Sequence, residues 1–318
     1  MSKQVILVTG ANGFVGKALC NYLNSSNTQI RALTRTPNEF SSNIHNIVCD
    51  DLSAAGVLLE GMRGVDVVVH LAARVHVMQE GSSNALAAYR AVNVDLTLNL
   101  AKQAAAAGVK RFIYLSSIKV NGEKTPAGRA FRADDIPAPE DPYGVSKMEA
   151  EKALLKLSKS TGMEIVIIRP PLIYGPGVGA NFMAMMRWLA RRVPLPLGAI
   201  DNQRSMVALD NLLNLILICT THPRAAGQVF LVSDDQDVSV TQLLKKLARA
   251  MKVKAILLPI PVAIIQFAAA MLGKISVAQR LCDNLQVDIT KTKEMLNWSP
   301  PLTLDDGLKV TAEWYLTK

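Results

Sequence analysis

The stretch VILVTGANGFVG at residues 5–16 joins an apolar run to three glycines spaced three residues apart. The Val, Ile and Leu side chains predict a strand that is buried on both faces. Gly10 permits a tight turn, Gly13 permits close approach to the backbone, and Gly16 permits close packing of the next helix on the strand. The helix that follows presents free N–H groups and a positive dipole end, which together suit a pyrophosphate.

Apolar runs alternate with helical patterns along the chain. The runs are short and rich in Val and Ile, and they predict buried strands at 5–8, 30–33, 47–49, 65–70, 112–115, 164–168 and 228–232. Helical patterns occur at 14–24, 54–60, 85–107, 143–160 and 240–251. This alternation predicts an α/β fold with a doubly wound parallel sheet, in which ligands bind at the carboxyl edge of the strands.

The character of the chain changes after Arg169, because Pro and Gly interrupt residues 170–204. We expect the remainder to be divided between the sheet and a smaller, interleaved lobe that binds the substrate. The dinucleotide-binding Rossmann domain is expected at 1–169 plus about 205–232, and the substrate-binding lobe at 170–204 plus 233–318.

The composition excludes several classes of protein. Of the 318 residues 50% are hydrophobic and 19% are charged, which excludes a mainly disordered chain. Four cysteines lie far apart without a CxxC pair, so we expect no metal site and the reduced thiols of a cytoplasmic protein. The formal net charge is +9, but the basic residues are scattered, so nucleic-acid binding is not expected. The N-terminus lacks the pattern of a signal peptide.

One almost uncharged stretch, AILLPIPVAIIQFAAAML at 255–272, needs separate consideration. A membrane span needs about 20 apolar residues, and Pro259 and Pro261 shorten the helix available here. We therefore expect a buried helix of the C-terminal lobe and no transmembrane span. Contact with a membrane surface is the alternative.

Tyr143 and Lys147 lie four residues apart in YGVSK, on one face of the predicted helix at 143–160. An ammonium group beside a phenol favours the phenolate and lowers the pKa of the phenol. Tyr143 is therefore expected to move a proton to or from a hydroxyl or carbonyl oxygen. Ser116 and Ser117 end the strand at 112–115, and a serine hydroxyl there is expected to bind the same oxygen.

The residues after the second strand bear on the choice of cofactor. NAD-binding versions of this fold place an acidic residue there, on the ribose 2′-hydroxyl. Here Arg35 follows the strand without a carboxylate, and a guanidinium suits a 2′-phosphate. NADP(H) is therefore favoured, NAD(H) stays possible, and a solvated surface arginine is the alternative. Asp51, after the third strand, is expected to accept a hydrogen bond from the adenine amino group.

The combination of motifs resembles the extended short-chain dehydrogenase/reductase family, and within it the nucleotide-sugar epimerases, dehydratases and 4-ketoreductases. The resemblance covers essentially the whole chain. It is carried by TGANGFVG at 9–16, HLAA at 70–73, YLSSIKVNG at 114–122, YGVSK at 143–147, RPPLIYGPG at 169–177 and LNWSPPLTLDDGL at 296–308.

The resemblance implies roles for individual residues. Tyr143 is similar in position to the general acid/base, Lys147 to the group that modulates its pKa, and Ser117 to the partner of the substrate oxygen. The cofactor would be bound by Gly10, Gly13, Phe14, Val15, Gly16, Arg35, Asp51, Leu52, Leu71, Ala72, Ala73, Asn93, Ser116, Tyr143, Lys147 and Pro170. For Asn93 a purely structural hydrogen bond is the alternative.

The resemblance also implies a UDP-linked sugar as the ligand of the second lobe. Asn181 and Arg204 are similar in position to residues that hold the nucleotide diphosphate, and an arginine fork suits a pyrophosphate. Arg280 and Lys119 are further substrate-binding candidates, and a surface lysine is the alternative for Lys119. Family members often form homodimers through the helices found here at 85–107 and 143–160, although the same apolar positions also suit packing on the sheet.

Two reactions fit these residues. The favoured one is NADPH-dependent reduction of a UDP-4-keto-6-deoxy-N-acetylhexosamine, because Arg35 favours NADPH and the C-terminal region resembles bacterial reductases of surface-polysaccharide (lipopolysaccharide) synthesis. The alternative is a 4-epimerase of a UDP-N-acetylhexosamine, of a UDP-glucose type sugar or of a lipid-linked sugar. A third possibility is a non-catalytic NADP(H)-binding sensor, against which Tyr143, Lys147 and Ser117 argue.

Overall fold

The computed structural model describes residues 3–24, 28–38, 40–49, 60–75 and 82–318. Its strands are β1 (Gln4–Thr9), β2 (Thr28–Thr34), β3 (Ile44–Val48), β4 (Val67–His70), β5 (Arg111–Leu115), β6 (Glu164–Arg169), β7 (Leu172–Tyr174), β8 (Met206–Ala208) and β9 (Val229–Leu231). Seven of them form one parallel sheet in the order β3-β2-β1-β4-β5-β6-β9, and β7 pairs with β8. The predicted doubly wound parallel sheet is confirmed.

The helices follow the predicted alternation with strands. They are α1 (Phe14–Asn24), α2 (Ser82–Arg90), α3 (Thr97–Ala106), α4 (Pro142–Thr161), α5 (Ala180–Ala190), α6 (Leu209–Thr221), α7 (Val240–Ala250), α8 (Val262–Met271), α9 (Ile275–Cys282), α10 (Thr290–Leu296) and α11 (Leu304–Leu316). The predicted helix at 54–60 lies almost entirely outside the described residues. The strand expected at 228–232 is confirmed as β9, which pairs with β6.

The helix predicted as one continuous element at 85–107 is interrupted. A π-helix at Ala91–Leu96 separates α2 from α3, and its buried residue is Asn93. The wider π turn is invisible to a search for a 3.6-residue period, and such insertions occur frequently at functional sites. The interruption turns the side chain of Asn93 into the protein interior.

Alternate residues of the central strands face opposite sides of the sheet. Ile6 and Val8 of β1 belong to a cluster that includes side chains of α1 and α6, whereas Leu7 joins a cluster with side chains of α3 and α4. Each such side chain stabilises the fold by about 1.5–3 kcal/mol through burial. The sheet is therefore covered on both faces, as the uniformly apolar strands predict.

A third apolar cluster lies in the C-terminal part of the chain. It contains Tyr174, Phe182 and Met206 together with residues of α7 and α11. Trp298, by contrast, belongs to the cluster that covers the sheet. The division into a sheet domain and a smaller lobe with the stated boundaries stays a prediction.

A buried carboxylate joins several elements of this region. Asp234 accepts hydrogen bonds from the Tyr174 hydroxyl, the Ala208 backbone N–H and the Asn211 amide, each at 2.7 Å. Burial raises the pKa of Asp234, and these three hydrogen bonds oppose that shift. The side chain of Asn211 also exchanges hydrogen bonds with both backbone groups of Leu302, at 2.8 and 2.9 Å. These bonds connect β7, β8 and α6 to the segment that precedes α11.

The apolar stretch at 255–272 is not the buried helix that its composition predicts. It begins with an extended segment that bridges Leu195 through Leu257, and α8 then starts directly after Pro261. None of the residues of α8 is buried. The prediction fails because apolar content alone does not show how many sides of a helix meet other elements. No helix among the described residues is long and apolar enough to cross a membrane.

Candidate active site

The predicted site residues converge because the carboxyl ends of parallel strands meet at one edge of the sheet. Gly10 follows β1, Arg35 follows β2, Leu71 follows β4 and Pro170 follows β6. The two serines do not end a strand as expected: β5 ends at Leu115 and they follow it. The structure thus places the glycine loop and the serine segment on the same edge.

The glycine loop has the tight geometry that its spacing predicts. Gly10 has φ +67°, and a Cβ there would lie 2.7 Å from the backbone nitrogen of Ala72. A Cβ on Gly16 would lie 2.2 Å from the carbonyl oxygen of Gly10, which is closer than any real contact. The Gly13 N–H donates to the same carbonyl at 2.9 Å. Larger side chains at Gly10 or Gly16 would therefore force the loop apart.

The start of α1 fits a dinucleotide phosphate. The helix begins at Phe14, directly after the loop, and its first turn contains no acidic residue that would oppose an anion. Val15 is part of the apolar core, so only its backbone is available to a ligand, whereas Phe14 is half-buried. The residues present therefore fit the pyrophosphate of NAD(H) or NADP(H).

The loop after β2 lies against the glycine loop. The side-chain amide N–H of Asn38 donates to Oδ1 of Asn12 at 2.5 Å, which joins the two loops, and Arg35 is exposed at the start of this segment. Such a place suits contact with the adenosine end of a dinucleotide. Asp51 and Leu52, the other adenosine candidates, lie outside the described residues.

The segment after β4 forms the next part of the edge. The backbone N–H groups of Leu71 and Ala72 both donate to Thr9, at 3.3 and 3.4 Å, and Leu71, Ala72 and Ala73 are half-buried. Asn93 holds the end of this segment: its side chain bonds the backbone N–H and carbonyl of Arg74, at 2.9 and 3.1 Å. Its amide also donates to Ser146 of α4 at 3.0 Å. Asn93 thus makes the structural hydrogen bonds that were named as the alternative, and its contact with the cofactor stays a prediction.

His70 of the HLAA motif is a buried neutral histidine, a role that sequence reasoning did not assign. Its two ring nitrogens bond the hydroxyls of Thr9 and Thr97, at 2.7 and 2.9 Å. Burial, followed by the charge of Lys147, lowers its pKa to about 3. His70 therefore joins β1, β4 and α3 and carries no charge at neutral pH.

Tyr143 lies in the first turn of α4 and Lys147 in the second. Asp141 caps this helix by accepting a hydrogen bond from the Gly144 N–H at 2.7 Å, and Pro142 supplies the preset backbone angle of the first position. Gly162 ends the helix in the left-handed conformation, with φ 74°. These local signals fix both side chains on a 20-residue helix.

Lys147 is fully enclosed. Its ammonium group donates to the Leu115 carbonyl at 2.8 Å and lies 4.3 Å from the centre of the Tyr114 ring. Burial lowers the pKa of Lys147 to about 7, although the nearby carboxylate of Glu151 raises it. Lys147 is therefore poised to exchange a proton near neutral pH.

The pKa of Tyr143 differs from the sequence expectation. Burial raises it, the charges of Asp141 and Tyr89 raise it further, and only a hydrogen bond with Ser117 lowers it. Lys147, whose ammonium lies 6.0 Å from the centre of the Tyr143 ring, contributes no lowering in this structure. The Tyr143 pKa is therefore raised and not lowered as expected, the phenol is held in its protonated form, and the role of Lys147 as modulator stays a prediction.

The two serines have different environments. Ser117 has an extended backbone, caps the short helix Ile118–Val120 and lies near enough to Tyr143 to lower its pKa, so the structure brings together the predicted Ser117, Tyr143 and Lys147. Ser116 is buried, and its hydroxyl donates to Glu151 at 2.5 Å. The Ser116 hydroxyl is therefore occupied by Glu151, and the predicted contact of Ser116 with the cofactor stays a prediction.

Glu151 is the centre of a buried ionic network that sequence reasoning missed. Its carboxylate receives two hydrogen bonds from the Arg169 guanidinium, at 2.9 and 2.6 Å, and one from Ser116. Arg169 also donates to Asn121 at 3.0 Å. Both charged side chains are only 4% exposed. The available signal was the spacing of Glu151, four residues after Lys147 on the same helix.

Lys119 is held by carboxylates. Its ammonium donates to Glu123 at 2.7 Å and forms a second, shorter ion pair with Asp141, the cap of α4. Burial lowers its pKa, but the two carboxylates outweigh burial and the net shift is upward. The cation thus braces the segment between Ser117 and Tyr143, and its role in binding substrate stays a prediction.

The substrate candidates of the second lobe are spread over three elements. Asn181 is exposed in the first turn of α5, and Arg280 is exposed in the last turn of α9. Arg204 is half-buried, and its guanidinium donates to the Asp283 carbonyl at 3.0 Å. Burial lowers the pKa of Arg204, although the charges of Asp283 and Glu123 raise it.

Pro170, the cofactor candidate after β6, is buried, and its carbonyl accepts a hydrogen bond from the Ile118 N–H.

Among the described residues, two cavities have linings that do not include Ser117, Tyr143 or Lys147. One, of about 410 Å³, is lined by residues of the predicted second lobe, among them Asn202 and Asp283, together with Lys124 and Thr125. The other, of about 740 Å³, is lined by Gly13 and Phe14 of the glycine loop together with residues of α1, α6 and α11. The first adjoins Arg204 through Asp283, and the second adjoins the dinucleotide cradle.

The doubly wound sheet, the glycine cradle, and the half-buried Tyr143 with the buried Lys147 define a dinucleotide-dependent enzyme of the short-chain dehydrogenase/reductase type. The family model described as "NAD dependent epimerase/dehydratase family" matches residues 6–233. The chain belongs to this family. It is therefore an enzyme that uses NAD(H) or NADP(H), as the sequence analysis predicts.

Several relatives match almost the full chain, and two of them are described here. A Vibrio cholerae "UDP-glucose 4-epimerase" is 46% identical over 314 residues, which cover 98% of this chain and 95% of the relative. A Pseudomonas aeruginosa "GDP-6-deoxy-D-mannose reductase" is 28% identical and covers 98% of this chain and 97% of the relative. Among solved structures, a UDP-glucuronic acid 4-epimerase from Bacillus cereus in complex with NAD has a TM-score of 0.79 at 22% identity, with 99% of both chains covered. That structure supports the fold alone.

Proposed function

We propose that the protein is an NAD(P)-dependent 4-epimerase of a UDP-linked hexose. The observation that carries this proposal is the 46% identity to the Vibrio cholerae UDP-glucose 4-epimerase, which extends over nearly the whole of both chains. The proximity of Ser117, Tyr143 and Lys147 supports it, because these groups can move a proton to or from the hydroxyl group on the reacting carbon. The epimerase, which the sequence analysis ranked second, is thus better supported than the reductase.

When bound, the nicotinamide supplies a site that accepts a hydride from the sugar C4 and returns it to the opposite face. The chain's own groups manage the proton. In the oxidising half, Tyr143 takes the proton of the C4 hydroxyl, and in the reducing half it returns a proton to the C4 oxygen. Ser117, which lies beside the phenol, would donate to the same oxygen and stabilise its developing charge.

The pKa values of Tyr143 and Lys147 determine when Tyr143 can act as a base. Burial raises the pKa of Tyr143, so the phenol must gain a positive neighbour before it can act as a base. Lys147, with a pKa of about 7, can supply that charge by taking up a proton near neutral pH. We therefore propose that Lys147 modulates Tyr143 by changing its own protonation state, and not by a fixed close ion pair.

A proton NMR assay tests the proposal. The enzyme is incubated with UDP-glucose or UDP-N-acetylglucosamine and a trace of NAD or NADP, without added reductant. New anomeric signals of the galacto isomer are the expected result. Tyr143→Phe should lower turnover by about 10²-fold or more while the cofactor still binds. Tyr315→Phe, a half-buried tyrosine on α11, is the matched control and should leave turnover unchanged.

A second candidate, the NADPH-dependent 4-ketoreductase, is supported by Arg35. This guanidinium is exposed directly after β2, where NAD-binding folds place a carboxylate. The same enzyme preparation should therefore be tested with a UDP-4-keto-6-deoxy-N-acetylhexosamine and stoichiometric NADPH. NADPH oxidation, with no galacto isomer in the NMR assay, would replace the epimerase by the reductase. An inactive wild type that binds cofactor in both assays would favour the non-catalytic sensor.

Several finer expectations remain proposals. Arg35 is proposed to favour NADP(H), and Arg35→Asp should shift the ratio of Kd values towards NAD(H). The UDP moiety is proposed to be held in the second lobe, with Arg204 on the diphosphate. A homodimer through α2, α3 and α4 stays a prediction. Leu100 of α3 is fully buried in the chain's own core, so this position packs on the sheet and not on a partner.

A further inference from the structure

The region from α8 to α9 carries a continuous apolar surface. Its members are exposed side chains on α8, α9 and the turn between them, with exposed fractions from 50 to 75%. We call this the apolar surface and define it as Ile264, Phe267, Met271, Leu272, Ile275 and Val277.

The exposed stripe of α8 is regular. Ile264, Phe267 and Met271 follow the i, i+3, i+7 spacing of one helix face, while Val262 and Ile265 pack partly against the apolar cluster of the C-terminal lobe. A surface helix of a globular protein normally carries polar residues on its outer face. α8 is apolar on its inner and outer faces, so its outward stripe indicates a second apolar environment.

The neighbouring helix α7 shows the ordinary pattern in the same lobe. Its inner residues, among them Leu244 and Leu247, are buried, and its outer face exposes Lys245 and Arg249. The absence of a polar face is thus not a general property of the helices in this lobe.

The segments that carry this surface are basic: Lys274, directly before α9, and Arg280, in its last turn, are both exposed. Residues 177–200 and 238–282 contain no Asp or Glu, and they contain ten basic residues, which exceeds the net charge of +9 for the whole chain. The two segments are joined, because the Leu195 N–H donates to the Ile256 carbonyl at 2.9 Å and the Leu258 N–H donates to Leu195 at 2.8 Å. Arg191 and Arg192, both exposed, directly precede this junction.

We propose that the apolar surface docks onto a membrane leaflet that contains anionic phospholipid, with α8 and α9 lying at the level of the headgroups. Exposed Ile, Phe, Met and Leu side chains are the groups that enter the headgroup–acyl boundary, and a basic rim is attracted to anionic headgroups. A second copy of the chain is a poorer occupant. A twofold contact through this surface would bring the two basic rims together, and like charges repel.

Vesicle flotation tests the proposal with the full-length enzyme. The probes are vesicles of phosphatidylcholine alone and vesicles with about 30% phosphatidylglycerol. We expect co-flotation with the anionic vesicles and weaker binding to the neutral ones. We also expect release at high salt, because salt screens the attraction between the basic side chains and the anionic headgroups. Ile264→Ser combined with Phe267→Ser should weaken binding to anionic vesicles about tenfold or more. Arg191→Gln combined with Arg192→Gln should weaken binding and reduce its salt dependence.

Matched controls distinguish binding through the apolar surface from nonspecific binding to vesicles. Ile136→Ser removes an exposed apolar side chain outside both segments, which is 88% exposed. Lys102→Gln combined with Lys309→Gln removes two exposed charges outside both segments. Both controls should bind vesicles like the wild type. All variants should keep their circular dichroism spectrum and their Kd for the cofactor.

Three outcomes would overturn the proposal. The first is no flotation of the wild type with anionic vesicles. The second is equal flotation of wild type and Ile264→Ser/Phe267→Ser. The third is a change of oligomeric state on that substitution in lipid-free buffer, measured by analytical ultracentrifugation, which would assign the surface to a second copy of the chain. None of these measurements depends on turnover, so failure of the proposed epimerase activity would leave this result readable.

Discussion

The buried pair of Glu151 and Arg169 allows a prediction whose magnitude follows from burial. Glu151→Ala removes the carboxylate that accepts two hydrogen bonds from Arg169 and one from Ser116. Both charged side chains are 4% exposed, so water cannot replace the lost partner. An uncompensated buried charge costs about 3–5 kcal/mol. The folding equilibrium constant should therefore fall by roughly two to four orders of magnitude.

The assay is urea unfolding at pH 7, followed by circular dichroism, with the free energy of unfolding extrapolated to water. The chain offers a matched control on the same helix. Glu149 forms an equally bidentate pair with Arg90, at 2.8 and 2.6 Å, but these side chains are 29% and 48% exposed. Glu149→Ala should lose only a small part of what Glu151→Ala loses, because exposed pairs are screened by water.

A double variant separates the two causes. Glu151→Met combined with Arg169→Met removes both charges and should recover more than half of the loss, since no buried charge remains unpaired. Similar losses for Glu151→Ala and Glu149→Ala would refute the reasoning. So would a double variant that is less stable than Glu151→Ala, because stability would then come from the pair itself and not from avoiding an isolated charge.

Three other predictions follow from the site. Burial lowers the pKa of Lys147 from 10.5 to about 7, so between these pH values the unfolded chain binds more protons and stability rises with pH. Lys147→Met should flatten that rise in urea unfolding from pH 6.5 to 9.5, and parallel curves would contradict it. Among the described residues the buried Tyr114 hydroxyl has no hydrogen-bond partner, so Tyr114→Phe should leave the melting temperature equal or higher. A marked fall would reveal a partner. Gly16→Ala places a Cβ 2.2 Å from the Gly10 carbonyl oxygen, and calorimetric titration should show at least tenfold weaker cofactor binding. Wild-type affinity would mean that the loop adapts.

The sheet could be predicted because its signals are local and redundant. The predicted strands 5–8 and 112–115 are apolar at every position, and each of the six predicted N-terminal strands overlaps an observed one. Helix ends with a cap, such as Asp141 before α4, were located within about a residue. The π-helix around Asn93 could not be predicted, because it breaks the period on which the prediction depends.

The sequence predicted which residues form the site, but not their pKa shifts or hydrogen-bond partners. Spacing placed Tyr143 and Lys147 together, yet it could not show that burial is the largest cause of both pKa shifts. The two adjacent serines look equivalent in the sequence, and only the position of Glu151 distinguishes the buried Ser116 from the site residue Ser117. Likewise, the sequence shows that 255–272 is apolar, but it does not show how many faces of the helix in this stretch are exposed.

The hydrogen bonds between Asn211 and Leu302 have a consequence for the order of folding during synthesis. The two residues are 91 positions apart, and the Tyr174 hydroxyl reaches the carbonyl of Leu304 across 130 positions. A ribosome releases the N-terminal strands first, so six strands of the sheet can assemble once residue 169 has emerged. The polar groups around β7 and β8 must wait for the last segment of the chain. A nascent chain halted before residue 300 would therefore hold a finished sheet beside an open lobe, which is the state that chaperones and proteases would meet.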